Sequence, residues 1–163
     1  MKSSQNLLAY FGHHKCGTTW LIKMIYDMCS AARLKHIHCH SPKVFNYNLE
    51  KFITDKKIDF LSFTNSEYKY IEPVVENLKA FHVVRDPRDI VVSAYFSHLK
   101  SHSSKFWPEV DLYREKLSNL SQEDGITLTM ENLSSLSFNG YPVNLFESMH
   151  NWNYDLPNVL ELK

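Results

Sequence analysis

LLAYFGHHKCGTTWL, the stretch from Leu7 to Leu21, decides the fold of this chain. Its first five residues are apolar without a polar break, which is typical of a strand buried on both faces of a sheet. Gly12 to Gly17 predicts a tight turn, and Thr18 begins a segment whose apolar residues recur at helical spacing. A strand, a glycine-containing loop and a helix N-terminus in this order favour phosphate binding, because main-chain N–H groups and the positive end of the helix dipole point towards the ligand.

The two glycines of this loop have the Gly-x-x-x-x-Gly spacing of a nucleotide-binding P-loop. In that motif a lysine follows the second glycine, whereas here Thr18 follows it and Lys15 lies two residues before it. Thr19 has the place of the P-loop hydroxyl that binds Mg²⁺. We identify no hydrophobic strand that ends in an aspartate able to complete a Mg²⁺ site, which argues against hydrolysis of ATP or GTP. A P-loop kinase is therefore the least favoured alternative.

A second motif, FHVVRDPRDIVVS, extends from Phe81 to Ser93. Ala80 to Val84 predicts another buried strand, in which His82 is the polar exception. Asp86 is a natural N-cap and Pro87 suits the first position of a helix, so the sequence predicts a helix directly after this strand. Both motifs therefore lie at strand-to-helix junctions.

The two motifs together resemble sulfotransferases that use 3′-phosphoadenosine 5′-phosphosulfate (PAPS). KCGTTW, from Lys15 to Trp20, resembles the 5′-phosphosulfate loop of that family, and Phe81 to Ser93 resembles its 3′-phosphate motif. The resemblance implies an α/β fold of three layers, with a central parallel sheet and a P-loop-like strand-loop-helix. It further implies that PAPS is the co-substrate, that no metal takes part, and that a sulfuryl group moves to a hydroxyl or amine of a small-molecule or glycan acceptor.

The resemblance also implies which residues of the first motif bind the donor. These residues are Lys15, Cys16, Gly17, Thr18, Thr19 and Trp20. Lys15 resembles the family's loop lysine, which contacts the bridging and sulfuryl oxygens and stabilises charge on the leaving group. Gly17 would let the main chain approach the phosphate closely. Trp20 resembles the residue that stacks on adenine, and its alternative interpretation is a core aromatic of the first helix.

In the second motif, Arg85 and Ser93 resemble the pair that binds the 3′-phosphate. An arginine at the carboxyl end of a strand is also well placed for bidentate contacts to an anion. The assignment of Ser93 depends on the resemblance alone, because this serine lies about two turns into its helix. We interpret Arg88 as a surface charge and Asp89 as a helix-end charge.

The general base is harder to assign. Many members of the family carry a histidine just after the strand that precedes the 3′-phosphate motif, but here that place reads SFTNS, from Ser62 to Ser66. We expect His14 to act as a catalytic residue with Lys15, because the two are adjacent in sequence. The other candidate bases are His13, His98 and His102. For each histidine taken singly, a structural role is the alternative.

The resemblance predicts one sulfotransferase domain over residues 1–163, and a partial one. In relatives, the strand that ends here at Lys163 precedes further adenine-contacting residues and a later basic-glycine phosphate loop. A non-catalytic nucleotide-binding module is therefore the alternative to an active enzyme. The acceptor is not predicted, and its suggestive aromatic residues are Phe106, Trp107 and Tyr113.

Composition narrows the possible partners and compartment. Basic and acidic residues number 18 each, so the formal net charge is zero and favours neither a nucleic acid nor a membrane as partner. The N-terminus shows neither a signal peptide nor a membrane span. The three cysteines have no C-x-x-C spacing, so we expect reduced thiols in a cytoplasmic protein of unassigned oligomeric state.

Local patterns predict the remaining elements. Residues 33–42 are interpreted as a connector, in which His36, His38 and His40 are a weak candidate for a metal site or for a surface facing the acceptor. Asn139–Gly140 predicts a turn. Helices are expected at 18–32, 44–54, 73–78, 87–102, 111–120, 142–149 and after Ser121, and further strands at 58–63 and 159–162.

Overall fold

A computed structural model describes residues 3–65, 68–105, 107–134, 136–138, 141–153 and 155–163. The chain separates into two compact units, each described here by itself. The sheet unit comprises Met1–Val84 and Trp152–Lys163, and the helical unit comprises Arg85–Asn151.

Five strands form the centre of the sheet unit: β1 (Ser3–Gly12), β2 (His36–Cys39), β3 (Phe60–Phe63), β4 (Val75–Val83) and β7 (Val159–Leu162). They are all parallel and lie in the order β2-β3-β1-β4-β7. The helices are α1 (Thr18–Ala31), α2 (Leu49–Lys56) and α3 (Tyr68–Ile71), with a 3₁₀ turn at Pro42–Phe45. The predicted α/β class with a central parallel sheet is confirmed.

The alternating side chains of β1 serve two cores, as a strand buried on both faces requires. Phe11 packs in a core that includes Leu49 of α2 and Ile71 of α3. Tyr10 points to the other face, where it packs with Ile25 of α1. The sheet therefore has helical segments on both faces, in the three layers expected from the resemblance.

The helix predicted at 44–54 is wrong in its first half. The chain instead makes the 3₁₀ turn and then passes through Asn46 and Tyr47, whose φ angles are 48° and 57°. A right-handed helix cannot continue through such positions. The Asn48 side chain then accepts from the Lys51 N–H at 3.1 Å and begins α2.

Two strand segments were missed by the sequence prediction. Residues 73–78 were expected to be helical, but β4 already begins at Val75 and pairs with β1 along nearly its whole length. The connector expected at 33–42 contains β2, an edge strand paired with β3. In both segments, hydrogen bonding to a distant strand overrides the local propensity.

The helical unit contains α4 (Pro87–Lys100), α5 (Val110–Ser118), α6 (Gln122–Leu133) and α7 (Leu145–His150), with an antiparallel pair of strands, β5 (Leu136–Phe138) and β6 (Tyr141–Val143). The Ser121 hydroxyl accepts from the Asp124 N–H at 3.1 Å and caps α6 as predicted. The helix expected at 142–149 is instead a strand followed by α7, because Asn144 caps the helix at that point. Phe106 and the turn predicted at Asn139–Gly140 lie outside the described residues.

Candidate functional site

The loop after β1 begins at the centre of the sheet, where the strand order changes direction. Gly12, the last residue of β1, is the register partner of Val83, the last residue of β4. The chain that leaves β1 continues to β2 on one side, whereas the chain that leaves β4 continues to β7 on the other. In open parallel sheets, ligands bind outside the carboxyl ends of the strands at such a switch point.

Two residues of this loop have positive φ angles. Gly17 has φ 71° and is the N-cap of α1, a conformation that glycine adopts without steric cost. A Cβ at Gly17 would meet no atom within 4 Å, so the requirement for glycine here is conformational. Lys15 has φ 64°, which is uncommon for a residue with a side chain. The first turn of α1 contains no acidic residue, so its N–H groups face no carboxylate of that turn.

The main-chain carbonyl of His13 is the acceptor around which the loop closes. The Cys16 N–H donates to this oxygen at 3.2 Å, and the Thr18 hydroxyl donates to it at 2.6 Å. The Cys16 side chain is buried. Since the proton of the Thr18 hydroxyl has this partner inside the protein, the part of Thr18 best suited to an anion is its main-chain N–H.

The other predicted residues of the loop differ in exposure. Lys15 is half-buried, and burial lowers the pKa of its ammonium group. Thr19 is exposed, and Trp20 is 66% exposed. The interpretation of Trp20 as a core aromatic is therefore wrong. An ammonium group, main-chain N–H groups and an exposed aromatic ring are donors and surfaces that fit a nucleotide phosphate and its base.

The second motif continues from β4 into the helical unit, which begins at Arg85, and α4 has the predicted cap. The Asp86 side chain accepts from the Arg88 N–H at 2.9 Å, and its carboxylate also accepts two bonds from the Arg88 guanidinium. Nε of Arg85 lies 3.6 Å from Oδ2 of Asp89, and the two side chains are 43% and 63% exposed. Ser93 is half-buried in the second turn of α4.

The family follows from comparison with known proteins. A family model described as a sulfotransferase domain matches residues 10–154, which is most of the chain. This chain belongs to the sulfotransferase domain family. The predicted resemblance is thus confirmed, and it extends beyond the two motifs from which it was inferred. No curated protein matches the chain significantly.

A solved structure shows the same fold as this sulfotransferase domain. The crystal structure of mouse sulfotransferase SULT7A1 complexed with PAP is similar with a TM-score of 0.53 at 16% sequence identity. The similarity covers 99% of this chain and 52% of that one. The sulfotransferase domain described here thus spans about half the length of that relative.

The four candidate bases of the sulfotransferase domain have different surroundings. His14 is half-buried beside Lys15, whereas His13 is fully buried. Burial, with His82 as a second cause, lowers the pKa of His13 to about 3. In the helical unit, His98 is fully buried among aromatic rings, and Nδ1 of His102 lies 3.0 Å from the Ser103 carbonyl oxygen. Of the four, His14 is the one that combines partial exposure with adjacency to Lys15.

A cluster of polar side chains that was not predicted from the sequence includes His13 of the loop. Nε2 of His13 lies 2.9 Å from Nε2 of His82, and Nδ1 of His82 lies 2.7 Å from Oε2 of Glu161. The Trp152 indole N–H donates to the other oxygen of Glu161 at 3.0 Å. The available signals were His82 in an otherwise apolar strand and Glu161 in the last strand, but nothing local indicates that they meet.

Two further findings concern metals and membranes. In the predicted histidine trio, Nε2 of His36 is 2.8 Å from the hydroxyl oxygen of Ser62 and so already has a partner. Within the described part of the chain, no group of three or more His, Cys, Asp or Glu side chains could hold a metal ion.

The helices that the structure describes include none long and apolar enough to cross a membrane.

Proposed function

We propose that this chain transfers a sulfuryl group from PAPS to a hydroxyl or amine acceptor. The observation that carries the proposal is the loop of Gly12 to Gly17 at the switch point of the sheet, in a member of the sulfotransferase domain family. A small molecule or a glycan is the proposed class of acceptor, and the cytoplasm is the proposed compartment.

The 5′ end of the donor is assigned to the loop. The N–H groups at the start of α1, including those of Thr18 and Thr19, would bind the 5′-phosphate, since the first N–H groups of a helix have no acceptor within the helix. Lys15 would stabilise the charge that develops on the bridging oxygen as the sulfur–oxygen bond breaks. Trp20 would stack on the adenine, for which its exposed ring is suited.

The 3′-phosphate is assigned to Arg85 and Ser93, and the acceptor's proton to His14. The ion pair of Arg85 with Asp89 is long and exposed, so a phosphate dianion would compete well for the guanidinium. Arg88 is engaged bidentately by Asp86 and is not assigned to the donor. His14 is half-buried beside Lys15, which supports it as the base.

Isothermal titration tests the donor assignment without knowledge of the acceptor. The 3′-phosphate predicts that 3′-phosphoadenosine 5′-phosphate binds much more tightly than adenosine 5′-monophosphate. Arg85→Ala should remove most of that difference, and Arg88→Ala is the matched control that should retain it. Losing a contact of this kind costs about 2 to 5 kcal/mol, and the exposure of Arg85 favours the lower end, or about thirtyfold. Equal affinity of the wild-type protein for the two nucleotides would refute the assignment.

Transfer itself is tested with labelled PAPS against a panel of phenols, alcohols, amines and oligosaccharides, with EDTA present. Lys15→Ala should lower kcat with a modest change in the donor KM, because this lysine acts on charge that appears in the transition state. Lys23→Ala, a change of an exposed lysine on α1, is the matched control. A requirement for Mg²⁺ would instead indicate phosphoryl transfer.

A nucleotide-binding module without transfer is the second candidate. It is favoured by the end of β3, where Thr64 and Asn65 follow the strand and offer no group that could take the acceptor's proton. This candidate predicts the same nucleotide preference in titration and no labelled product with any acceptor. Turnover that Lys15→Ala abolishes would eliminate it.

A further inference from the structure

A chain of hydrogen-bonding groups connects the last strand of the sheet to the loop after β1. Its members are Trp152, Glu161, His82 and His13, joined by contacts of 3.0, 2.7 and 2.9 Å. His82 and Glu161 are register partners on β4 and β7, so the sheet itself sets the separation of their side chains. The Trp152 ring also stacks on the His82 ring with centroids 3.9 Å apart.

Burial makes the arrangement specific. Both His13 and His82 are 0% exposed, whereas the Glu161 side chain is 17% exposed. Burying an imidazole costs free energy unless its nitrogen atoms have hydrogen-bond partners. Each of the two rings provides the other with one such partner. Desolvation lowers the pKa of both histidines, so the neutral forms of the two rings are the relevant ones.

The carboxylate determines the direction of the two hydrogen bonds that involve histidine rings. An ionised Glu161 can only accept, so Nδ1 of His82 carries a hydrogen and donates to it. In the neutral ring, Nε2 of His82 is then an acceptor, and the hydrogen between the two rings belongs to Nε2 of His13. The tautomers of both histidines therefore depend on one carboxylate at the partly exposed end of the chain.

At the other end of this series of hydrogen bonds is His13, the residue whose main-chain carbonyl closes the loop. The His13 carbonyl oxygen accepts from both the Cys16 N–H and the Thr18 hydroxyl. Lys15 lies in sequence between His13 and these two donors, and its φ angle is 64°. A strained conformation of this kind persists only where its surroundings determine it.

We propose that Glu161, His82 and His13 form a positioning element that fixes the loop and thereby places the Lys15 ammonium group. Glu161 and His82 act through His13, and none of the three is assigned a contact with the donor or acceptor. The part of this proposal that concerns turnover rests on the proposed sulfuryl transfer, whereas the part that concerns the loop does not.

Nuclear magnetic resonance of the nucleotide-free protein tests the loop part directly. Long-range ¹H–¹⁵N spectra should show His82 with its hydrogen on Nδ1 and His13 with its hydrogen on Nε2. Glu161→Gln should abolish this preference, because an amide can donate as well as accept. It should also speed hydrogen exchange at the Cys16 amide about tenfold while the exchange in α1 beyond its first turn stays as in the wild type.

Glu76→Gln is the matched control, since it removes the same charge from an exposed position of β4. His82→Phe is a second variant, which keeps a ring against Trp152 but removes the hydrogen bonds of His82. It should also speed hydrogen exchange at the Cys16 amide. The proposal is overturned if His82 carries its hydrogen on Nε2 in the wild type. It is equally overturned if Glu161→Gln affects the Cys16 amide no more than Glu76→Gln does.

Turnover separates positioning from a general effect on stability. Glu161→Gln should lower kcat about ten- to a hundredfold, as displacement of a catalytic group does. In a Lys15→Ala background the same change should have little further effect, because its target is gone. Additive losses would show that Glu161 acts otherwise than through Lys15. If the wild type transfers no sulfate to any acceptor, the proposed function fails, while the tautomer and exchange measurements still decide the role of the chain in the loop.

Discussion

Acidification should destabilise this protein well before its carboxylates are protonated, and His13 is the residue from which the effect can be calculated. A histidine in an unfolded chain has a pKa of about 6.5. In the folded protein, burial and then the neighbouring His82 lower the pKa of His13 to about 3. Between these two values the unfolded state binds a proton at this residue and the folded state does not.

The sign and size of the effect follow from that difference. A histidine that is neutral when folded contributes its full stability above pH 6.5, and this contribution falls as the pH decreases towards 3. Below about pH 6.5 the loss is about 1.4 kcal/mol per pH unit, and above it the loss is negligible, so His13 alone should cost about 2 kcal/mol between pH 7.5 and pH 5. His36, His38 and His82 also have lowered pKa values and add to the slope in the same direction.

Urea unfolding followed by circular dichroism at half-unit steps from pH 7.5 to 5 measures the slope. His13→Asn removes one titrating group. The slope of its unfolding free energy against pH should therefore be smaller than that of the wild type by the equivalent of about one bound proton. His150→Asn, a change at an exposed histidine of α7, is the control for removal of any histidine. A wild-type stability that is constant over this range, or a His13→Asn slope equal to that of the wild type, would refute the reasoning.

Three further predictions concern local geometry. Gly12→Ala should lower the melting temperature, because its Cβ would collide with the hydroxyl and ring of Tyr10, and Gly12→Ala combined with Tyr10→Phe should recover part of the loss. Lys15→Gly should be more stable than Lys15→Ala by about 1 kcal/mol in urea unfolding, because glycine tolerates a positive φ, and equal stability would contradict the strain described here. Ser121→Ala should cost about 1 kcal/mol through loss of the α6 cap, and Ser121→Asn should restore most of it.

Local chemistry explains which elements the sequence predicts correctly. The starts of α1 and α4 were predicted because Gly17 and Asp86–Pro87 determine those ends within a few residues. The β2 strand and the first half of β4 were missed, since the hydrogen bonds that form them come from strands distant in sequence. The positive φ angles of Asn46 and Tyr47 were also missed; the turn that contains them lies between Phe45 and Leu49, which are buried in one core.

The candidate site shows the same division. The loop from Gly12 to Thr18 could be predicted because its glycine spacing and its lysine are contiguous. The partner of His82 could not, since Glu161 is 79 residues away and nothing near Glu161 in the sequence indicates a buried imidazole beside it. Pairing of β4 with β7 places these two side chains together, and that pairing is a property of the whole sheet.

Lys15 combines the two features of the loop that cost stability, a positive φ and a partly desolvated ammonium group. An anion bound there would meet a cation that has already lost part of its hydration, and electrostatic attraction is stronger where less water intervenes. The loop can hold such a residue because the main-chain carbonyl that closes it belongs to His13, whose side chain is held by His82 of the sheet. In the positioning role proposed above, the buried His13 holds the loop so that Lys15 stays in place to bind an anion. In the sulfuryl transfer proposed here, that preparation would let Lys15 stabilise the leaving group without a large rearrangement during the reaction.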